Sequence, residues 1–280
     1  MRHSLAPIPQ SQWPELRDLY EEQKRLSSCY NTIQCFIDWK QQNKDVDINI
    51  FSLDGEWAQD GTYVGIINAP RINYLFINTL SENPARLLVA LNTLKCNKPY
   101  MILGYHERLM PTVEQHYVDM GFKRENFKPS GLAWHHIERE KAEQFVVDVP
   151  QGYTLQRLET KHAELVNSLW PHREPGSIAL VELLITYNDS VGVFDGTGNL
   201  VAWCLILPMG CLGLLQVLDT HKRMGFGNLA IRHMSKLIAA RGLEVTAPVV
   251  FQNVASRSLF KKLDFKPVGN AYFVVVPIEC

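Results

Sequence analysis

The chain has 280 residues, enough for a substantial core and for two domains of roughly 130–140 residues each. Its 28 Lys and Arg stand against 29 Asp and Glu, a formal charge of −1, which removes the electrostatic basis for nucleic acid or an anionic membrane as the main partner. Any anionic ligand must therefore be held locally.

The N-terminal stretch MRHSLAPIPQSQWPELRDLYEEQ lacks the apolar run of a signal peptide, and no later stretch offers 18 consecutive apolar residues. Glu15, Asp18, Glu21 and Glu22 make it too acidic for a mitochondrial presequence, so a soluble cytoplasmic chain is expected, with the mitochondrial matrix as second choice. The six cysteines (Cys29, Cys35, Cys96, Cys204, Cys211, Cys280) form no CxxC pair and lie mostly in apolar runs. They read as reduced thiols, with neither a disulfide frame nor a structural zinc site.

Further along, HYVDMGFKRENFKPSGLAWHHI, His116–Ile137, reads as a helix ending in Phe-Lys and then a strand. The charged run EREKAEQ before Val149 marks a domain boundary, giving an N-terminal domain of residues 1–145 and a C-terminal domain of residues 146–280. Past the boundary, GYTLQRL reads as a strand, ETKHAELVNSLW and ALVELLITY as helices. SVGVFD and LVAWCLIL are β-rich runs joined by Gly196-Thr197-Gly198-Asn199, a hairpin signal without a phosphate role. CLGLLQVL reads as a buried strand, and LDTHKRMGFGNLA then leads into NLAIRHMSKLIAAR, whose Leu229, Met234, Leu237 and Ile238 share a helical face. Gly242 sits where a helix C-terminal glycine is wanted. The strand LEVTAPVVF, the helix NVASRSLFKKLDF and the strand AYFVVVPI complete the order β-α-α-β-β-β-α-β-α-β.

A strand that runs through a glycine-containing loop into a helix points successive backbone N–H groups at one spot, where the helix dipole adds about half a positive charge. Gly225 and Gly227 would let backbone approach a pyrophosphate, while Lys222 and Arg223 meet its charge from the side. A dinucleotide fingerprint needs a third glycine where Ala230 stands, and a nucleotide P-loop needs a Gly-Lys-Ser/Thr ending that is absent. On its own the loop is equally a structural helix start.

Two motifs at a fixed separation decide the matter. Lys222-Arg223-Met224-Gly225-Phe226-Gly227 resembles the coenzyme A loop of the GCN5-related N-acetyltransferase (GNAT) superfamily, with Lys in the first place. About 26 residues on, NVASRSLFKKLDF resembles that superfamily's Asn-led helix. From about Val149 to the C-terminus the chain is similar to the glycine N-acyltransferase-like, FR47-like branch. His116–Ile137 echoes LFKKLDFKPVGNAYFVVVPI, an internal duplication, but the first copy has no Gly-x-Gly loop before PARLLVALNTL. The fold class implied is α/β (α+β): two tandem GNAT-like domains with mixed central sheets flanked by helices, the N-terminal copy degenerate.

The resemblance implies an enzyme that transfers an acetyl or larger acyl group from acyl-CoA to the amine of glycine or another small amine. The alternative is a coenzyme A-binding module whose turnover is lost or regulatory. The strand before the loop would splay from its neighbour, and a backbone N–H near Val217 or Leu218 would polarise the thioester carbonyl. Residues Lys222, Arg223, Met224, Gly225, Phe226, Gly227 and Asn228 would grip the pyrophosphate, with Asn253 and Phe260 lining the pantetheine arm. Asn253 reads as well as a helix N-cap. Phe260 stands where many relatives carry a proton-donating Tyr, and Cys211 falls where mammalian glycine acyltransferases carry a glutamate base, so the catalytic acid and base are unassigned and solvent can serve. In WPHREPG, Trp170–Gly176, where the superfamily often builds its acceptor pocket, Arg173 is either a carboxylate partner or a solvated arginine. His135-His136, His106 and His116 lack metal-site spacing, and no metal is expected.

Overall fold

The computed structural model describes residues 3–25 and 28–277; Ile278 and Cys280, both used above, lie outside them. In chain order the elements are β1 (Leu5–Pro7), α1 (Trp13–Asp18), α2 (Cys29–Gln42), β2 (Ile48–Leu53), β3 (Tyr63–Ile67), β4 (Asn73–Asn78), α3 (Ala85–Thr93), β5 (Tyr100–His106), α4 (Met110–Asp119) and β6 (Ser130–Ile137). They continue with α5 (Arg139–Glu143), β7 (Thr154–Gln156), α6 (Ala163–Ser168), α7 (Ile178–Tyr187), β8 (Ser190–Phe194), β9 (Leu200–Ile206), β10 (Leu212–Val217), α8 (Phe226–Ala240), β11 (Val245–Val250), α9 (Val254–Lys262) and β12 (Lys266–Val276). From β7 onward this is the order read from sequence, and β1 to β6 repeat it element for element.

The chain divides into two compact units, Met1–Ala133 with Gly269–Cys280, and Trp134–Val268. This differs from a single boundary at 145/146. Each copy's last strand completes the other unit: the end of β6 lies beside β11, and β12 pairs antiparallel with β5 from Ala271↔His106 to Val276↔Tyr100. Alternation along AYFVVVPI specifies a strand and its buried face but carries no information on its partner.

In unit 1 the sheet runs β1-β2-β3-β4-β5-β12, antiparallel except for β4 and β5, which pair in parallel from Asn73↔Tyr100 to Leu75↔Ile102. Leu87 and Leu91 of α3 and Val113 of α4 pack against Leu75, Ile102 and Val276. Trp13, Phe36 and Trp39 of α1 and α2 are buried as well, and Phe36 meets Phe76 edge-on at 5.6 Å.

In unit 2 a four-stranded antiparallel sheet runs β7-β8-β9-β10. β9 is buried along its whole length, as its unbroken apolar run requires. The β8–β9 turn is built by Asp195, whose Oδ1 accepts from Thr197 N and Asn199 N, both at 2.9 Å. These bonds and those from the Thr197 and Asn199 side chains hold its carboxyl well below the usual carboxylate range. α8 buries Phe226, Ala230, Ile231, Met234 and Ile238, a helical stripe. It ends in a Schellman motif, with Gly242 N donating to Ala239 O and Leu243 N to Ile238 O. No helix among the described residues is long and apolar enough to cross a membrane.

Candidate functional site: a splayed strand pair and an uncapped helix start

β10 was expected to be a buried strand, yet only Leu212 is fully buried and Gly213–Val217 are all partly exposed. The reason is its neighbour. β10 and β11 lie side by side, yet each ends its own sheet and no ladder joins them. Two local features keep them apart. Register against β9 shifts between Gly213 and Gln216, with Leu214 at φ +48, a β-bulge that bends the strand. β11 carries Pro248, which has no N–H to give to a ladder and is tolerated in a strand with one unpaired edge.

The two proposed carbonyl donors now separate. Leu218 N–H is taken, donating to Val201 O at 2.9 Å. Alternation along an antiparallel ladder turns the preceding amide, Val217, to the opposite edge of β10, which faces the splay. Of the pair, Val217 is the donor aimed at the opening, and Leu218 is a ladder residue.

Beyond Leu218 a single 3₁₀ turn, Asp219–His221, leads into the glycine loop. Arg223 sits at φ +65 and Gly225 at φ +89. Gly225 is the N-cap of α8, with no side chain to satisfy the first N–H groups and no acidic residue in the first turn. The two glycines differ in purpose. A Cβ on Gly225 would meet nothing within 4 Å, so this position requires glycine for its dihedral. A Cβ on Gly227 would lie 3.2 Å from Leu259 Cδ2 and 3.7 Å from Val217 Cγ2, so this glycine lets α8 close onto α9 and β10. Lys222 and Arg223 are exposed, and Lys222 Nζ is 2.5 Å from Asp219 Oδ1, a contact an incoming anion must displace. Met224 is exposed and Phe226 buried, packed 4.5 Å from Tyr153. Asn228 is partly buried, its Oδ1 without a partner. The loop, the free first turn and the basic rim thus suit an anion.

The second motif is placed differently. Asn253 is exposed and caps α9, its Oδ1 accepting from Ser256 N at 3.0 Å, so the N-cap reading holds. Phe260 is 4% exposed, stacked on His135 at 6.1 Å and edge-on to Phe265 at 5.0 Å. It is a core residue, while Leu259, one position earlier, meets the glycine helix. Cys211 is fully buried. Arg173 donates to Ser168 O at the C-terminus of α6, a helix-end contact rather than an open carboxylate partner. His136 pairs with Glu244 at 2.5 Å, and His116 sits between Tyr100 and Asn92. Among the described residues no group of three or more His, Cys, Asp or Glu could hold a metal.

In unit 1 the corresponding place is filled from within. β4 and β5 also part after Leu75/Ile102, but Arg108, in the 3₁₀ turn Glu107–Leu109 that precedes α4, reaches across to Asn78 Oδ1 at 3.0 Å, to Ser81 O at 3.1 Å and to Thr79 O. α3 has its own acceptor, Asn83 Oδ1, on Ala85 N at 3.1 Å. The bulge and Arg108 were not recognised in sequence, while the Val217 amide was one of two donors the resemblance offered. Pro248 within LEVTAPVVF was the one available signal of an unpaired strand edge.

These features define a class: a tandem α/β protein of GNAT fold with an uncapped helix start beside a splayed strand pair. Residues 190–274 match the family model described as FR47-like protein. A Drosophila protein solved by X-ray crystallography is similar over 99% of both chains, at 23% identity and TM-score 0.87. A tandem GNAT protein from the clavulanic acid biosynthesis pathway is similar over 100% of this chain and 99% of its own, at 12% identity and TM-score 0.59. A GCN5-related N-acetyltransferase from Sphaerobacter thermophilus is similar at 12% identity and TM-score 0.54, over 99% of this chain and 96% of its own. No curated protein matches the chain by sequence.

Proposed function

We propose that the chain is an acyl-CoA-dependent N-acyltransferase acting on the amine of glycine or another small amine, with its site in unit 2. The observation that carries this reading is the pairing of the open α8 N-terminus with the Val217 amide at the splay. Acyl-CoA, when bound, supplies the activated thioester. Backbone N–H groups of Phe226, Gly227 and Asn228 hold the pyrophosphate, and Lys222 leaves Asp219 to join them. Arg223 and the exposed Met224 border the same loop. The Val217 N–H, fixed by the β10–β9 ladder, donates toward the thioester oxygen, a contact typically worth about 3 kcal/mol of barrier. Positioning of amine and thioester between β10 and β11 contributes further.

No side chain at the splay is assigned the proton transfers. Phe260 has no proton to give and Cys211 is sealed in the core, so solvent accepts and returns them. Those two residues also favour a second reading, a coenzyme A-binding module without turnover. Unit 1, with Arg108 across its strand ends, binds no coenzyme A in either reading. Four of the five described cysteines are buried, which fits reduced thiols in a compartment such as the cytoplasm.

Incubation with acetyl-, butyryl- and octanoyl-CoA and a panel of small amines, with detection of released thiol, tests the proposal. Amine-dependent thiol release supports the enzyme. Coenzyme A binding without release for any pair supports the binding module.

A further inference from the structure

Unit 2 holds a cleft of about 560 Å³ that the acyl-transfer reading does not use, since none of its lining residues belongs to β11. Its apolar lining comes from Leu200 and Val201 at the start of β9, from Leu218, and from Leu165 of α6. Leu165 keeps 38% of its surface exposed, a large apolar side chain that the fold leaves unpacked beside the cleft. Lys161 and His162, in the 3₁₀ turn Thr160–His162 before α6, line it as well, and so do Thr220 and His221 in the turn that leads into the glycine loop.

The polar groups of the lining divide by role. His162 Nδ1 accepts from Glu159 N–H at 3.0 Å, closing a capping box, so in the neutral ring Nε2 carries the proton. Burial and the neighbouring Lys161 charge lower the His162 pKa, which keeps the ring neutral at neutral pH. Its Nε2–H is then a donor with no partner among the described residues. His221 Nδ1 meets Thr220 Oγ1 at 2.8 Å, and its Nε2 has no partner among them either. Lys161 Nζ donates to Glu159 Oε1 at 2.7 Å and has further N–H groups unused. The acceptors, by contrast, are taken. Asp195 Oδ1 receives Thr197 N, Thr197 Oγ1 and Asn199 N, and its Oδ2 receives Asn199 Nδ2. The carbonyls of Val201 and Leu218 receive Leu218 N and His221 N. Unused donors with a cation among them, beside an apolar lining of small-molecule size, complement a carboxylate that carries a short hydrocarbon chain.

We propose that this cleft binds a small aliphatic carboxylate, its oxygens on Lys161 and the His162 Nε2–H and its chain against Leu165, Leu200 and Leu218. The site stands independently of the function assigned to the glycine loop. Hexanoate and hexanamide serve as probes, since they share a chain and a shape and only the first is charged. Titrated into the full-length protein, hexanoate binds saturably and hexanamide at least about ten-fold more weakly, because a charge-assisted hydrogen bond is about twice as strong as a neutral one. Lys161→Gln brings the two within about two-fold. His162→Glu keeps an acceptor for Glu159 N–H, the usual residue of a capping box at that place, and sets a carboxylate against the ligand, so the variant melts near the unaltered protein and no longer binds hexanoate. A readout on the unaltered chain guards against a misfolded variant. With methyl-labelled leucine, hexanoate shifts the methyl resonances of Leu165, Leu200 and Leu218 and leaves those of Leu87 and Leu91 in unit 1 unmoved. Equal affinity for the two probes, no saturation with hexanoate, or unmoved Leu165, Leu200 and Leu218 resonances overturns the proposal and leaves the cleft to water.

Discussion

Gly227→Asp separates the fold of the α8 N-terminus from its use as an anion site. The added Cβ meets the flexible end of Leu259 at 3.2 Å, which can shift, and Val217 Cγ2 at an ordinary 3.7 Å. A carboxylate in the first helical turn interacts favourably with the dipole by about 0.3–1 kcal/mol, and replacing a helical glycine adds about 0.5–1 kcal/mol. The variant therefore folds, with a melting temperature near that of the unaltered protein. Its charge, however, stands in the same first helical turn whose N–H groups are proposed to hold the pyrophosphate. At about 6 Å and an effective dielectric of about 20, each pair of unit charges repels by about 3 kcal/mol, and pyrophosphate brings about two such pairs. If solvent and salt remove half of that, coenzyme A affinity still falls by roughly 100-fold. Titration calorimetry with coenzyme A, beside a thermal melt, measures both sides. Gly227→Asn, with similar bulk and no charge, loses much less. A folded Gly227→Asp protein with affinity within about three-fold of the unaltered chain would refute the assignment of this helix start.

Val217→Pro deletes the donor at the splay without removing a β10–β9 hydrogen bond, and kcat falls about 10²–10³-fold with coenzyme A affinity retained; Leu218→Pro instead loses the bond to Val201 and is read as lowered stability, and equal kcat effects in the two would contradict the placement. Removal of residues 269–280 strips β12 from β5, so hydrogen exchange accelerates first in β4 and β5 of unit 1, although the cut lies at the end of the second copy; protection lost first in α8 would count against the exchanged strands. Burial lowers the His116 pKa to about 4, so the unfolded chain binds the proton first as pH falls. Its contribution is complete above the unfolded value near 6.5 and is lost between there and about 4, roughly 3 kcal/mol in all. His116→Gln should flatten denaturant midpoints over that range, and an unchanged slope would show that another group sets it.

Much of unit 2 was legible because its signals are local. Gly-x-Gly before an amphipathic helix, Asp195 and Gly198 at a turn, and Asn253 before α9 each act within a few residues, and each sits where the chain pattern places it. What was missed depends on pairing. The buried alternation of β12 does not reveal that its partner is β5, so the boundary was set at a charged run instead of by strand exchange. CLGLLQVL reads as a core strand because nothing in it announces Leu214 at φ +48, and the absence of a ladder to β11 was implied only by the family resemblance. The same limit explains Phe260. A motif position fixes its place on α9, but the helix rotation that buries it against His135 and turns Leu259 toward Gly227 is a tertiary property. Arg108 was invisible for the opposite reason, since a lone exposed-looking arginine carries no sign of the carbonyls it will collect.

The account rests on the α8 first turn and the β10–β11 splay forming one ligand site. The most direct measurement is a crystal structure of the full chain with coenzyme A. Pyrophosphate within hydrogen-bond distance of the Phe226, Gly227 and Asn228 amides, with the thiol arm running between β10 and β11 to the Val217 N–H, is the predicted result. Density for coenzyme A elsewhere, or β10 and β11 joined by a ladder with the ligand bound, would contradict it.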